Sequence, residues 1–312
     1  MQSITRLSRV ALILACGIVF SGYARGASLI VHCGGKGALS TINGALKMLH
    51  PEEPNTITVS GTCNENVVIQ SFDRLTLIST SGSTINDVSG GLSEVVGIAD
   101  SRSVTLQGFT INGGIDGVIC GSASVCYLTA NTVQSSAGQE GVVVASGARA
   151  FLTGNVIQNN GQRGLTVAES AQVFSSIDIF RGNADIGIVA NSGAYLAATN
   201  SIVQNNGSDG VLASDRSTLR LISCTISGNA GNGVTLQHSS EARFDSFSGP
   251  STVSGNGGSG VVVRDLSFGF FGQGNTITGN LGGTDVLCTP QFSATRGALT
   301  NIGGGTTNCI EP

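Results

Sequence analysis

A repeat constrains this chain more than any other feature. From the middle of the sequence onward the pattern Asn-x-x-x-Gly-apolar-x-apolar recurs, with its glycines at Gly117, Gly141, Gly164, Gly187, Gly210, Gly233, Gly260 and Gly283. The intervals are 23 residues, except for one of 24 and one of 27. Glu94 to Ile98 lies one period further upstream. A short period of this kind marks a solenoid, in which one coil cannot bury its apolar face alone and stacking builds a continuous core. Leucine-rich repeats have a similar period, but their leucine and asparagine template is missing.

Each period contains three short β-rich pieces. In the coil that opens at Gly164, Leu165 and Val167 alternate with Thr166 and face inward. Val173 begins a second strand, and Ile177 and Ile179 are assigned to a third. The prediction is an all-β parallel β-helix. Composition agrees: 46 glycines in 312 residues, 11% charged residues and no tryptophan suit short strands and many turns.

Stacking turns equivalent positions into columns about 4.8 Å apart. Four residues before the strand glycines stand Asn160, Asn183, Asn206, Asn229 and Asn256, which predicts an amide ladder. Five residues earlier runs a second small polar column: Asn131, Asn155, Asp178, Ser201, Cys224, Ser251 and Asn275. Cys224 is therefore read as a buried, unpaired thiol. The extra residues of the long interval fall near Phe244 to Pro250, as a loop.

A solenoid needs caps, because its end coils expose core and unpaired strand edges. Residues 40–49 form the one good helix candidate, capped by Ser40, with Ile42, Ala45, Leu46 and Leu49 on one face. Leu29 to His32 and Thr56 to Val59 flank it as strands. A Cys33–Cys63 bridge would tie these strands, Cys288–Cys309 would close the other end, and Cys120 and Cys126 fall at inward positions of one coil. Six cysteines allow fifteen connectivities, so these pairings are expectations.

Residues 1–26 read as an export leader: Arg6 and Arg9, then the apolar run Val10 to Phe20, then Ala24-Arg25-Gly26. Lipidation at Cys16 is the alternative, against which stand Leu14 and the apolar run beyond Cys16. Residues 27–312 are then one domain, with 27–70 as N-terminal cap and first coil and 284–312 as C-terminal cap. A secreted or periplasmic location would permit disulfides. No second apolar run is long enough to span a membrane. The mature chain would carry about −7 and has two lysines, Lys36 and Lys47, with no basic stripe, which argues against nucleic acid as a partner.

The coils from Glu94 to Gly283 resemble the pectate-lyase-like right-handed parallel β-helix superfamily. Gly61-Thr62-Cys63-Asn64-Glu65-Asn66-Val67-Val68-Ile69 resembles the first-coil segment of several exported members, with Cys63 where an aromatic is common. The resemblance implies the right-handed fold. For activity it is weak, since members include lyases, polygalacturonases, esterases, epimerases, metal-maturation proteins and tailspikes. The polygalacturonase motifs and the Asp-Pro-His-Asp of alginate epimerases are absent. Gly34-Gly35-Lys36-Gly37 lacks the Lys-Ser/Thr step of a phosphate loop.

Aromatic platforms for sugars look scarce: Tyr127 and Tyr195 are the tyrosines of the mature chain, and the cluster Phe268, Phe270 and Phe271 is expected to pack mainly in the core. The best constellation comes from one turn of successive coils: Glu169, Ser192, Asp215, His238 and Asp265. Asp215, His238 and Asp265 are candidate catalytic groups for proton transfer. Arg216 and Arg264 flank them, and Arg220 and Arg243, with Glu241 nearby, share an outward column; these four arginines are candidate ligands for an acidic sugar. The carboxylates could instead hold Ca²⁺; no other cofactor is expected. A solvated turn with charges of both signs is the competing reading. Outward positions after the glycines read Ile119, Val143, Thr166, Val189, Leu212, Thr235 and Val262, an apolar stripe that could meet a ligand or a second copy. Three functions remain: binding of an extended polysaccharide or surface glycan, which is favoured; a lyase, hydrolase or epimerase on acidic glycans; and a structural or adhesive rod.

Overall fold

Strand register converts each period into one coil of a right-handed parallel β-helix. The computed structural model describes residues 26–289, 294–296 and 299–310, so the leader read over 1–26 lies outside them but for Gly26. The strand Leu165–Val167 pairs in parallel with Val142–Val144 of the coil before and Ile188–Ala190 of the coil after. Three faces result. Strands that follow the glycines form the first, ten strands deep among the described residues. Five-residue strands such as Gln172–Ser176 form a long-strand face. Three-residue strands such as Ile202–Gln204 form a short face. The strand Asn55–Asn64 runs from the long-strand face into the short one, pairing with Leu75–Ser79 through Asn55–Val59 and with Thr84–Asn86 through Thr62–Asn64.

Inward residues of all three faces make one core from Val31 to Cys309, with Phe109, Phe180, Phe244 and Phe271 among its largest side chains. The glycine column is required by close approach. A Cβ on Gly210 would stand 2.6 Å from the Gly233 carbonyl oxygen and 2.8 Å from Asn229 Nδ2. That Asn229 belongs to the predicted ladder: Asn206 donates from its backbone N–H and from Nδ2 to Asn229 Oδ1 (3.1 and 2.8 Å), and Asn229 repeats this on Asn256. The second polar column is also buried, and Asp178 in it accepts from Asn155 N and Nδ2 and from Ser175 Oγ. Burial pushes the Asp178 carboxyl above its ordinary range.

Four readings change. Gly283 is not the eighth column member: Val261 pairs with Val286, so Asp285 takes that place and ends the ladder by accepting from Asn280. Gly283 sits in the preceding turn at φ +83°. Ile177 lies not in a strand but at the corner before Ile179–Arg181, at φ +53° and 55% exposed, because each coil needs one left-handed residue there. The helix is shorter, Ile42–Leu46, with Thr41 rather than Ser40 as its cap, accepting from Gly44 N. Glu65 supplies the rest of the cap by accepting from Ile42 N and Asn43 N. The predicted face holds, with Ile42, Ala45, Leu46 and Leu49 buried. Last, Phe268 and Phe270 are half-buried on the outward side, and only Phe271 enters the core.

All three expected disulfides are present: Cys33–Cys63, Cys120–Cys126 and Cys288–Cys309. Cys224 is free and buried, and burial pushes its thiol up. No helix among the described residues is long and apolar enough to cross a membrane.

Candidate functional site

The turn between the glycine strands and the long strands is built the same way in successive coils. Asp215 and Arg216, His238 and Ser239, Asp265 and Leu266 all hold left-handed φ values of +52° to +63°. The turns bond to each other: Gly193 N to Asp215 O, Arg216 N to His238 O and Ser239 N to Asp265 O, at 2.9–3.0 Å. This backbone ladder aligns the three candidate catalytic residues. His238 Nδ1 is 3.1 Å from Asp215 Oδ1, and Nε2 is 4.0 Å from Asp265 Oδ2. All three side chains are largely open to solvent, 43–56% exposed. Arg264 lies 3.8 Å from Asp265 and hydrogen-bonds Gln237, whereas Arg216 is exposed and forms no ion pair among the described residues.

Five residues along each coil, the long-strand face gathers the other candidates into a cleft of about 310 Å³ lined by Tyr195, Thr218, Leu219, Arg220, Glu241, Arg243 and Asp245. Register sets Arg220 directly beside Arg243 and Arg243 beside Phe270. Asp245 is the anchor. Its carboxylate, 2% exposed, accepts from Arg220 Nε at 2.7 Å and Arg243 Nη2 at 3.4 Å. Each guanidinium spends one nitrogen on it, leaving most of its five donors for other partners. The Arg243 guanidinium carbon stands 5.1 Å over the Phe270 ring, which steadies the cation without neutralising it. The Tyr195 phenol lies within electrostatic reach of Arg220.

Aromatics on this face are not scarce. Tyr127, Phe151 and Phe174 occupy the same outward column as Arg220 and Arg243, with ring centroids 5.0 and 5.3 Å apart, and Tyr195 tilts against Phe174 at 5.8 Å. The stacked rings spend their faces on one another, so Tyr195, at the end of the run and at the edge of the cleft, is the ring best placed for a ligand. The signal was in the sequence: Phe151 and Phe174 fall one and two periods after Tyr127.

A second cluster escaped sequence reading. Glu94, Asp116, Glu140 and Arg163 stand in one column just before the glycine strands. Arg163 Nη1 and Thr166 Oγ1 bond Glu140 Oε1 at 3.1 and 3.2 Å, and Asp116 Oδ1 accepts from Glu140 N. Burial, followed by repulsion from Glu140 and Glu94, raises the Asp116 carboxyl to about 6. Cys33, Cys63 and Glu65 place ligand atoms within 4.8 Å of one another, but the cysteines are bridged and Glu65 caps the helix. In the outward stripe Thr166, Val189, Thr235 and Val262 are buried, while Ile119, Val143 and Leu212 are half-buried.

Residues 94–248 match the family model described as a right handed beta helix region. Its fold is a right-handed parallel β-helix like that of the pectate lyases. Among solved structures, the A-module of mannuronan C-5 epimerase AlgE4 from Azotobacter vinelandii superposes with a TM-score of 0.60 at 13% identity, covering 82% of this chain and 89% of that one. Pectate lyase Pel9A gives 0.57 at 11% identity over 86% and 75% of the two chains. The periplasmic alginate epimerase AlgG gives 0.51 at 13% identity over 79% and 61%. At these identities the likeness concerns the fold alone. No curated protein matches the chain by sequence.

Proposed function

We propose that this β-helix is an exported protein that binds an extended acidic polysaccharide along its long-strand face, with Arg220 and Arg243 receiving sugar carboxylates. The observation that carries the reading is the pairing of two guanidiniums on one buried carboxylate, in a cleft edged by Tyr195. Guanidinium forks match carboxylates in two-bond geometry. Neighbouring coils repeat every 4.8 Å or so, close to the length of one pyranose unit in an extended chain. The leader and the three disulfides suit a compartment where such polymers occur. The similar structures named above act on mannuronan, pectate and alginate by their own descriptions.

Affinity electrophoresis of the mature protein through gels containing polygalacturonate, alginate or dextran tests this. Retardation by the two polyuronates, weakened by added salt and cut about tenfold or more by Arg243→Ala, is expected, since charged hydrogen bonds contribute about 1.5–3 kcal/mol. Equal mobility in all three gels would remove the reading.

A second reading, turnover of the same polymers, is favoured by one contact: Asp215 holds His238 Nδ1 at 3.1 Å, while Nε2, 4.0 Å from Asp265 Oδ2, is beyond hydrogen-bond range of it and left for proton transfer. Product assays on the same polyuronates, with and without Ca²⁺ and beside His238→Ala, decide it. New reducing ends, unsaturated ends or epimerised units that disappear in the variant support an enzyme. Their absence in the wild type leaves binding.

A further inference from the structure

The repeat is broken once, and the break stands beside the arginine cleft. Between Gly233 and Gly260 the interval is 27 residues rather than 23. The extra residues form the corner Ser246 to Pro250, which follows the strand Glu241–Asp245. In the preceding coil the same corner is the single left-handed residue Ser223. The longer corner folds back on it: Ser223 Oγ donates to Gly249 O at 3.0 Å, and a Cβ on Gly249 would come 2.8 Å from that hydroxyl. Ile222, an outward residue at the end of its strand, is buried there, while its counterpart one coil earlier, Thr199, is half-buried. The loop therefore packs on the corner at Ser223, three residues beyond Arg220 along the preceding coil.

At its tip stands Phe247, 87% exposed and more open than any other large apolar side chain among the described residues. A ring so placed contributes nothing to the core; a lone exposed ring is ordinary in itself, and what singles this one out is its place on the one insertion in the repeat, next to the cleft's anchor. Asp245, two residues earlier, is the anchor of both cleft arginines. The insertion thus begins directly after the residue that holds both cations and carries its aromatic ring two residues further on.

We infer that Phe247 is the sugar-recognising wall of this site: the apolar C–H face of a uronate ring packs on it while the carboxylate lies on Arg220 and Arg243. The inference rests on the binding reading above and adds a selectivity. Two arginines alone accept any polyanion; a ring beside them favours a carboxylated sugar over a carboxylated chain without rings.

Calorimetric titration with an oligogalacturonate and, separately, with poly-glutamate tests it, on the wild type, Phe247→Ala and Phe247→Trp. Phe247→Ala should melt as the wild type does, lose about 2- to 10-fold in affinity for the oligogalacturonate and keep its affinity for poly-glutamate. The chain has no tryptophan, so Phe247→Trp carries a single reporter. Its emission should shift as oligogalacturonate saturates the site and stay still with poly-glutamate. Unchanged sugar affinity in Phe247→Ala, or a silent reporter at saturation, overturns the inference and leaves the arginine cleft standing. A wild type that does not bind oligogalacturonate, or binds it regardless of Arg243, overturns both.

Discussion

At the residue scale, the sites that matter most are those where a coil touches the next. Gly210→Ala forces a Cβ against the Gly233 carbonyl, the Ile226 side chain and Asn229, none of which is a loose end. A loss of about 1–3 kcal/mol is expected, whereas Gly138, with nothing within 4 Å of its Cβ position, should accept alanine with little change in melting temperature. Asp116 gives a pH signature. Its carboxyl stands raised from 3.8 to about 6, so the folded state favours the neutral form. The stability this contributes is complete below the ordinary carboxyl range and is lost as pH rises through about 6. Asp116→Asn, neutral throughout, should therefore match the wild type near pH 4 and melt higher than it at pH 8. An equal offset at both pH values would show that burial and the neighbouring Glu140 and Glu94 do not hold this carboxyl above its ordinary range. Much of the candidate site was legible at this scale: a constant offset from the strand glycines places Asp215, His238 and Asp265 in one turn, and Arg220 beside Arg243. Asp245 was not legible. Alternation assigns it outward with Arg243, and spacing does not show that two guanidiniums meet on it or that an outward carboxylate is buried there.

At the scale of elements, period and alternation identify strands well and corners poorly. Ile177 reads as a strand residue by composition, yet the corner it occupies demands a left-handed backbone that Gly154 and Asn200 meet more easily in the adjacent coils. Ile177→Asn should relieve that strain and, the side chain being exposed, raise stability by about 1 kcal/mol in denaturant melts. A loss of stability would mean that the Ile177 side chain packs on its surroundings by more than it costs. The helix was overestimated for a related reason. Its apolar spacing continues to Leu49, but Asn43 and Gly44 are poor helix formers, and the cap depends on Glu65, more than 20 residues away. Gly283 shows the limit of counting glycines: pairing of Val261 with Val286 decides register, and there an Asp ends the ladder.

At the scale of the whole molecule, the fold is one stack whose ends need fastening. Cys33–Cys63 ties the outermost strand Ser28–Cys33 to the one beneath it. Replacing both cysteines by serine should loosen the strands before Val67 first, seen as early hydrogen exchange there while the coils from Val96 onward stay protected. Uniform exchange along the rod would instead show that the stack opens as a unit. The parallel solenoid was readable because every coil repeats the same instruction, and its hand only through the resemblance to a known superfamily; the activity was not, because the features that would carry it occur once each, the charged cleft and the Phe247 corner. A crystal structure of the mature protein with a short oligogalacturonate would show whether this face binds acidic glycans through Arg220 and Arg243. Sugar carboxylates on the two guanidiniums are the predicted result. An oligosaccharide seated at the Asp215–His238–Asp265 turn, or on the glycine face instead, would contradict it.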